Sequence, residues 1–275
     1  MADNFKPIVW SAHIETALKR KMVFTNLCNR RHEKSSGAAK LGETVKILGV
    51  GRPTVGQITN PKTALSTPEN VADNSTLIKI DRLDYAYYLV DDVEKVQALD
   101  GYVEALNAET AEAMANSIDA YIAGKVVGAG QAITAVTSLS KTTIARTLLS
   151  AQELLMMKDV AFDQCVAVIT PKAWTRLREA VGAELTDNTS VVERGRMGRW
   201  TGMEIYVSNN IYNDGTSDCC MVMSKGALAL FEQVNSVEKF RESSYLGDII
   251  RATHLYGADV VRAQELVKVP ITSYA

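Results

Sequence analysis

The chain has 275 residues, with 30 basic against 32 acidic side chains and a formal net charge of -2. A composition of 47% hydrophobic and 23% charged residues excludes wholesale disorder and leaves room for one large domain or two modest ones. No run of about 18 apolar residues offers a membrane-spanning helix, the opening stretch MADNFKPIVWSAHIE does not read as a secretory signal, and the charge balance argues against a general nucleic-acid binder.

Residues 1–36 read as a basic leader, with seven Lys or Arg against three acidic residues, a balance of +4. Trp10, Ile14, Ala17, Leu18 and Met22 recur near helical spacing, and Ser11 is placed to cap that helix. Too little apolar sequence surrounds it for a core of its own, so it must lie on something else. Residues 37–90 then switch to β-type segments punctuated by Gly37, Gly42, Gly49, Gly51 and Gly56. Thr44–Leu48, Thr54–Ile58, Thr76–Ile80 and Tyr85–Val90 read as strands, with a polar, Pro-containing stretch from Asn60 to Asn74 between them. This pattern is a long two-stranded excursion with a loose tip. A hairpin alone is marginal in water, so the segment needs neighbours.

Residues 91–127 carry the strongest helical signal. Val93, Val96, Leu99, Val103, Leu106, Met114, Ile118, Tyr121 and Ile122 form a narrow stripe, and Asp91, Asp92 and Glu94 are expected in the first turn, where the helix dipole favours anions. At ~1.5 Å per residue such a helix is about 50 Å long, spanning the whole molecule and implying a flattened or elongated shape. Gly128-Ala129-Gly130 ends it. A second helix is expected over Thr143–Lys158, a short buried strand at Cys165–Ile169, and a third helix opened by Thr170 as cap and Pro171 at its first position. Met203–Val207 alternates as a half-buried strand, and Met221–Phe231 and Ile249–Val261 add β-like stretches. The class is α+β.

The residues that carry chemistry elsewhere are scattered here. Cys28, Cys165, Cys219 and Cys220 contain no C-x-x-C, and the one close pair is adjacent, too short for ordinary disulfide geometry, so a reducing compartment is the simplest reading. His13, His32 and His254 stand singly, without metal-ligand spacing. Gly49-Val50-Gly51 follows a strand, but Arg52-Pro53 comes next and no helix opens to cradle a phosphate, so a strand-end turn is expected. Ser208 and Ser224 lack a partner histidine, and His254 beside Tyr256 reads as half-buried packing. Cys219-Cys220 reads as a pair of buried small hydrophobes. Arg194-Gly195-Arg196-Met197-Gly198-Arg199-Trp200 is a basic cluster expected in a solvated or inter-subunit loop. No catalytic residues, cofactor-binding residues or metal ligands are assigned, and no enzyme is expected.

The order of segments, together with several strings, resembles the major capsid (coat) proteins of tailed bacteriophages. Ile8-Val9-Trp10-Ser11, Val23-Phe24-Thr25-Asn26-Leu27 and Gly42-Glu43-Thr44-Val45-Lys46-Ile47 are similar to the opening of many phage coats. Tyr88-Leu89-Val90-Asp91-Asp92-Val93 with Gln97 resembles their entry into a spine helix, and Val168-Ile169-Thr170-Pro171 their strand-to-helix step. The run Gly198–Asn209 resembles their late glycine, strand, Ser-Asn segment, and Tyr256-Gly257 through Val261-Arg262 their closing strand.

The resemblance implies the Hong Kong 97-type capsid fold, with an N-terminal arm (1–36), an extended β loop (37–90), a peripheral domain with the spine helix (91–135 and 236–256) and an axial domain (136–235 and 257–275). It implies a chain that self-assembles as pentamers and hexamers into an icosahedral shell around a double-stranded DNA genome, located in the virion and assembled in the host cytoplasm. The implied partners are further copies of itself, a separate scaffolding protein, a portal and non-specifically packaged DNA, with no membrane and no cofactor. An encapsulin-type nanocompartment shell is the alternative on the same fold, and an α+β enzyme with an unrecognised site the alternative outside it. The residues add an electrostatic expectation. Residues 91–125 hold eight acidic against two basic side chains, a balance of -6, along which the +4 arm is expected to lie.

Overall fold

The computed structural model describes residues 22–31, 41–50, 54–55, 57, 73–91, 102–181, 196–241 and 246–274. Strands β1 (Thr44–Val50) and β2 (Asp73–Lys79) pair antiparallel as a two-stranded ribbon, from Thr44 opposite Lys79 to Val50 opposite Asp73. At its base, Gly42 N–H donates to the Ile80 carbonyl at 2.7 Å and Ile80 N–H to Glu43 at 2.9 Å. Val45, Ile47, Ile78 and Ile80 face inward, onto Ala229, Phe231 and Leu255 of this same chain. The expected dependence on neighbours is thus met in part inside the protomer.

Strand β3 (Arg82–Asp91) departs from the sequence expectation. The sequence pattern places it in the excursion; in the structure it is the edge of a different, three-stranded sheet. It pairs along its whole length with β10 (Gly247–Val260), which pairs on its other side with β9 (Leu228–Phe240). Asp91 is its last residue, opposite Gly247, and so does not lie in the first turn of a helix. The sheet rests on helix α1 (Tyr102–Gly124), which passes into a 3-10 turn at Lys125–Gly128. At about 1.5 Å per residue its 23 residues span roughly 34 Å. The remainder of the expected 50 Å helix, residues 92–101, lies outside the described residues. The stripe read from sequence is the buried face: Met114, Ile118 and Ile122 are in the core, and Leu106 and Tyr121 pack on its margin.

The second layer is a six-stranded mixed sheet in the order β4-β11-β8-β5-β7-β6. Its members are β4 (Gln131–Ala132), β5 (Cys165–Ile169), β6 (Arg196–Trp200), β7 (Met203–Val207), β8 (Asp218–Ser224) and β11 (Leu266–Ile271). Both faces are covered, so β5 is buried at every position. Alternation divides the side chains. Val166, Val168, Cys219, Met221 and Met223 join α1 and the three-stranded sheet in one core. Cys165, Ala167, Ile169, Cys220 and Val222 join a second core with helices α2 (Lys141–Met156) and α3 (Pro171–Val181). Ser140 caps α2 through a reciprocal box with Thr143. Thr170 caps α3 as expected: its Oγ1 accepts the Ala173 N–H at 3.2 Å.

Three strands lie outside the sequence expectation: the two-residue β4, β6 and β11. Arg196–Trp200, read as a basic loop, is β6, a short edge strand turned back onto β7 through Thr201 and Gly202, whose φ values are +48° and +82°. That two-residue, left-handed turn matches strand twist and closes the hairpin tightly. Arg194 and Gly195 lie outside the described residues. The chain also ends in β11, beyond the segment read as the closing strand. The stretch read as Met221–Phe231 is two strands, β8 and β9, separated at Gly226, where φ is +99°.

Candidate functional site: exposed assembly surfaces

The groups weighed as possible chemistry are dispersed through the two cores. Cys219 and Cys220 point to opposite faces of β8, as adjacent strand residues must, and enter different cores. Burial pushes the Cys220 thiol up to about 12 and raises Cys28, Cys165 and Cys219 as well, so these sulfurs stay protonated and unreactive. All four cysteines are free thiols. Ser208 Oγ accepts the Asn210 N–H at 3.1 Å, and Ser224 Oγ donates to Glu265. His254, expected half-buried, is fully buried at 1% exposure, with Nε2 3.1 Å from Glu232 Oε1. Gly49 and Val50 continue β1 rather than forming a turn, and Gly51 lies outside the described residues. Gly130 makes a close backbone approach, its N–H donating to the Ala263 carbonyl at 2.7 Å. His13 and His32 lie outside the described residues. Among the described residues, no group of three or more His, Cys, Asp or Glu is arranged to hold a metal ion, and no helix is long and apolar enough to cross a membrane.

What the fold does present is surface. Along β3, alternation sends Asp84, Ala86, Tyr88 and Val90 toward α1 and Leu83, Tyr85, Tyr87 and Leu89 outward. The outer four are 43%, 73%, 53% and 43% exposed. Tyr87 meets Phe240 across the sheet with ring centroids 6.4 Å apart, and Arg251 lies over the Phe240 ring while pairing with Glu238. The stripe therefore runs from the edge strand across the sheet. An edge strand of ten residues without proline, carrying aromatics on an open face, is a surface that solitary proteins avoid. The outer face of the ribbon adds Leu77, 58% exposed, between the exposed Lys46 and Lys79. Sequence reading placed strands at both sites but could not mark these faces as open, because the same alternation describes a half-buried strand in any sheet.

Part of the leader is seated in this chain's own core. Met22, Phe24 and Leu27 are 2%, 0% and 5% exposed within this chain's own core. Asn29 bridges β9, donating its N–H to Leu228 at 2.8 Å and accepting from Leu230 at 3.2 Å, and Arg30 pairs with Glu232 at 2.6 Å. The leader, expected to lie on its own chain or a neighbouring one, does so within this chain at Met22–Arg30. Lys19–Lys21 lie outside the described residues.

A ribbon standing off a sheet-and-spine-helix layer, joined to a doubly covered mixed sheet, is the Hong Kong 97-type capsid fold. Solved structures agree. A chain of Mycobacterium phage Che8 superposes with a TM-score of 0.73 and 28% identity over 90% of this chain and 91% of that one. The capsid of cyanophage P-SCSP1u gives 0.71 and 17% over 92% and 89%, and the virus-like particle from Pyrococcus furiosus 0.60 and 10% over 94% and 97%. Comparison with curated protein sequences gave no match. The sequence model described as phage capsid protein matches residues 73–269. The chain belongs to that family and is a major capsid protein of the tailed-phage type, a structural protein that forms the phage shell.

Proposed function

We propose that copies of this chain associate as pentamers and hexamers and close into an icosahedral shell around a double-stranded DNA genome. The observation that carries the reading is the family match over residues 73–269, joined by 28% identity to a mycobacteriophage chain along nine-tenths of the length. The open face of β3 and the outer face of the ribbon supply apolar surface for contacts between copies, at ~25 cal/mol per Å² buried less the cost of ordering. The organisation into arm, extended loop, peripheral and axial domains is proposed with it. The full-length pairing of β3 with β10 favours ending the loop near residue 80 rather than 90.

A separate scaffolding protein and a portal complete the assembly in the host cytoplasm, and the chain itself has no catalytic role. With a net charge of -2 the shell holds DNA by confinement, through sequence-independent contacts at exposed Lys or Arg. The phage reading is favoured over a nanocompartment shell by the family model, described as phage capsid protein, and by 28% identity to the Mycobacterium phage chain. Expression of the full chain, alone and with genes flanking it, followed by sedimentation and negative-stain imaging, tests the reading. Closed shells with five- and sixfold rings are expected. A protein that stays a 30.0 kDa monomer under both conditions overturns it.

A further inference from the structure

Asp119 lies in the buried half of α1, 3% exposed, beneath the segment Met22–Cys28. A carboxylate taken out of water needs donors, and a helix interior offers none of its own. The donors arrive from far away in sequence. Val23 N–H donates to Asp119 Oδ2 at 2.9 Å, and the amides of Phe24 and Thr25 also act on the carboxylate. Oδ1 has no hydrogen-bond partner among the described residues. The segment is folded into a turn, with Leu27 and Cys28 N–H returning to the Phe24 carbonyl at 2.9 and 3.2 Å and Asn26 Nδ2 donating to Met22 O at 2.6 Å. Apolar side chains seat this turn, while the charge beneath it is only half satisfied.

We propose that Asp119 is a proton-sensitive latch that ties the seating of Met22–Cys28 on α1 to pH. Two states are involved: a seated turn over a buried carboxyl group, and a released turn that leaves the carboxylate hydrated. Burial raises the seated Asp119 to about 6, against the downward pull of the Val23, Phe24 and Thr25 amides. The ionised form therefore favours release, and the seated state gains as pH falls through about 6 toward the ordinary carboxylate value. Between pH 7 and pH 5 the released-to-seated ratio falls roughly tenfold.

The other charged and titratable groups nearby are the Cys28 thiol and Arg30 on the segment itself, Glu232 on β9, and His254 on β10. Arg30 offsets Glu232 at 2.6 Å, His254 Nε2 stands 3.1 Å from Glu232, and Cys28 is held neutral by burial, with Asp119 and Glu232 adding to the effect. Of these only the Cys28 thiol feels Asp119 directly, and burial keeps it protonated with either side chain, so a comparison of variants isolates the titration of the Asp119 carboxyl group.

The test is hydrogen–deuterium exchange on the full-length chain at pH 5, 6 and 7, comparing wild type, Asp119→Asn and Asp119→Ala. Asparagine keeps an acceptor for the Val23 amide and removes the titration; alanine removes both. Dividing wild-type protection of the 22–31 peptide by that of Asp119→Asn cancels the intrinsic pH dependence of exchange. This ratio is expected to rise about tenfold from pH 7 to pH 5, and at pH 5, where the seated carboxyl group is protonated, Asp119→Ala is expected to lose protection over 22–31 while the β8 and α2 peptides stay protected. A flat ratio, or an alanine variant as protected as wild type at pH 5, overturns the latch. If Asp119→Ala does not fold, the wild-type and asparagine pair still decides.

Discussion

Gly257 shows how one residue carries a contact between elements. A Cβ placed there stands 2.5 Å from the Lys79 carbonyl oxygen and 2.8 Å from Ile80 Cα, backbone atoms that cannot swing aside. The ribbon base crosses β10 at this point, and only glycine lets the two chains approach. Gly257→Ala is expected to destabilise the protein by about 1–3 kcal/mol, measured as a lowered midpoint in denaturant; an unchanged midpoint contradicts the close crossing. The cysteines make the opposite case, a residue type whose reactivity is silenced by position. Cys165, Cys219 and Cys220 are expected to resist alkylation in the native protein and to label after denaturation, read by mass spectrometry. Native labelling of Cys220 contradicts the burial that lifts its thiol to about 12. At this scale the sequence marked glycines and cysteines as points of interest, but which glycine is indispensable depends on a partner 177 positions earlier in the chain, at Ile80.

At the scale of elements, local signals and local structure agree at the Thr170 cap of α3 and along the buried stripe of α1. Thr170 combines its cap to Ala173 with a hydroxyl contact to Tyr274 at 2.9 Å. Thr170→Ala is therefore expected to cost about 1 kcal/mol and Thr170→Ser close to nothing, measured by chemical denaturation; equal losses in the two variants argue against capping. The spine helix depends on its buried stripe instead. Ile118 and Ile122 are fully enclosed, and Ile118→Ala is expected to cost about 2–5 kcal/mol by the same measurement. β6 escaped the reading because its arginines obscured a short strand, although Thr201-Gly202 carried a hairpin signal. β3 was recognised as a strand but assigned to the wrong sheet, since alternation reports a face and is silent about the partner.

At the scale of the whole molecule, the protein holds a complete core and an incomplete surface. Among the described residues, the three-stranded and six-stranded sheets and helices α1, α2 and α3 are packed within one protomer, while Leu83, Tyr85, Tyr87 and Leu89 stay open on an edge strand. Replacing Tyr85 and Tyr87 together by Ser is expected to leave circular dichroism and unfolding unchanged yet suppress shell formation in sedimentation. Shells forming at the wild-type yield argue that contacts between copies lie elsewhere. Within the basic leader, Met22–Arg30 belongs to the protomer's own core.

By itself the sequence determined the α+β class, the buried faces of the helices, the capped start at Thr170 and, through strings distributed along the chain, the resemblance to phage coats. These features rest on interactions within a few residues of one another, which is why periodicity and cap chemistry reveal them. Tertiary structure alone decided that β3 pairs with β10, that Asp119 receives an amide 96 residues earlier in the chain, and that one face of β3 stays uncovered. Strand partners and open surfaces depend on contacts between distant segments, and a pattern of alternating side chains is the same whether its outer face meets solvent, a helix or another subunit.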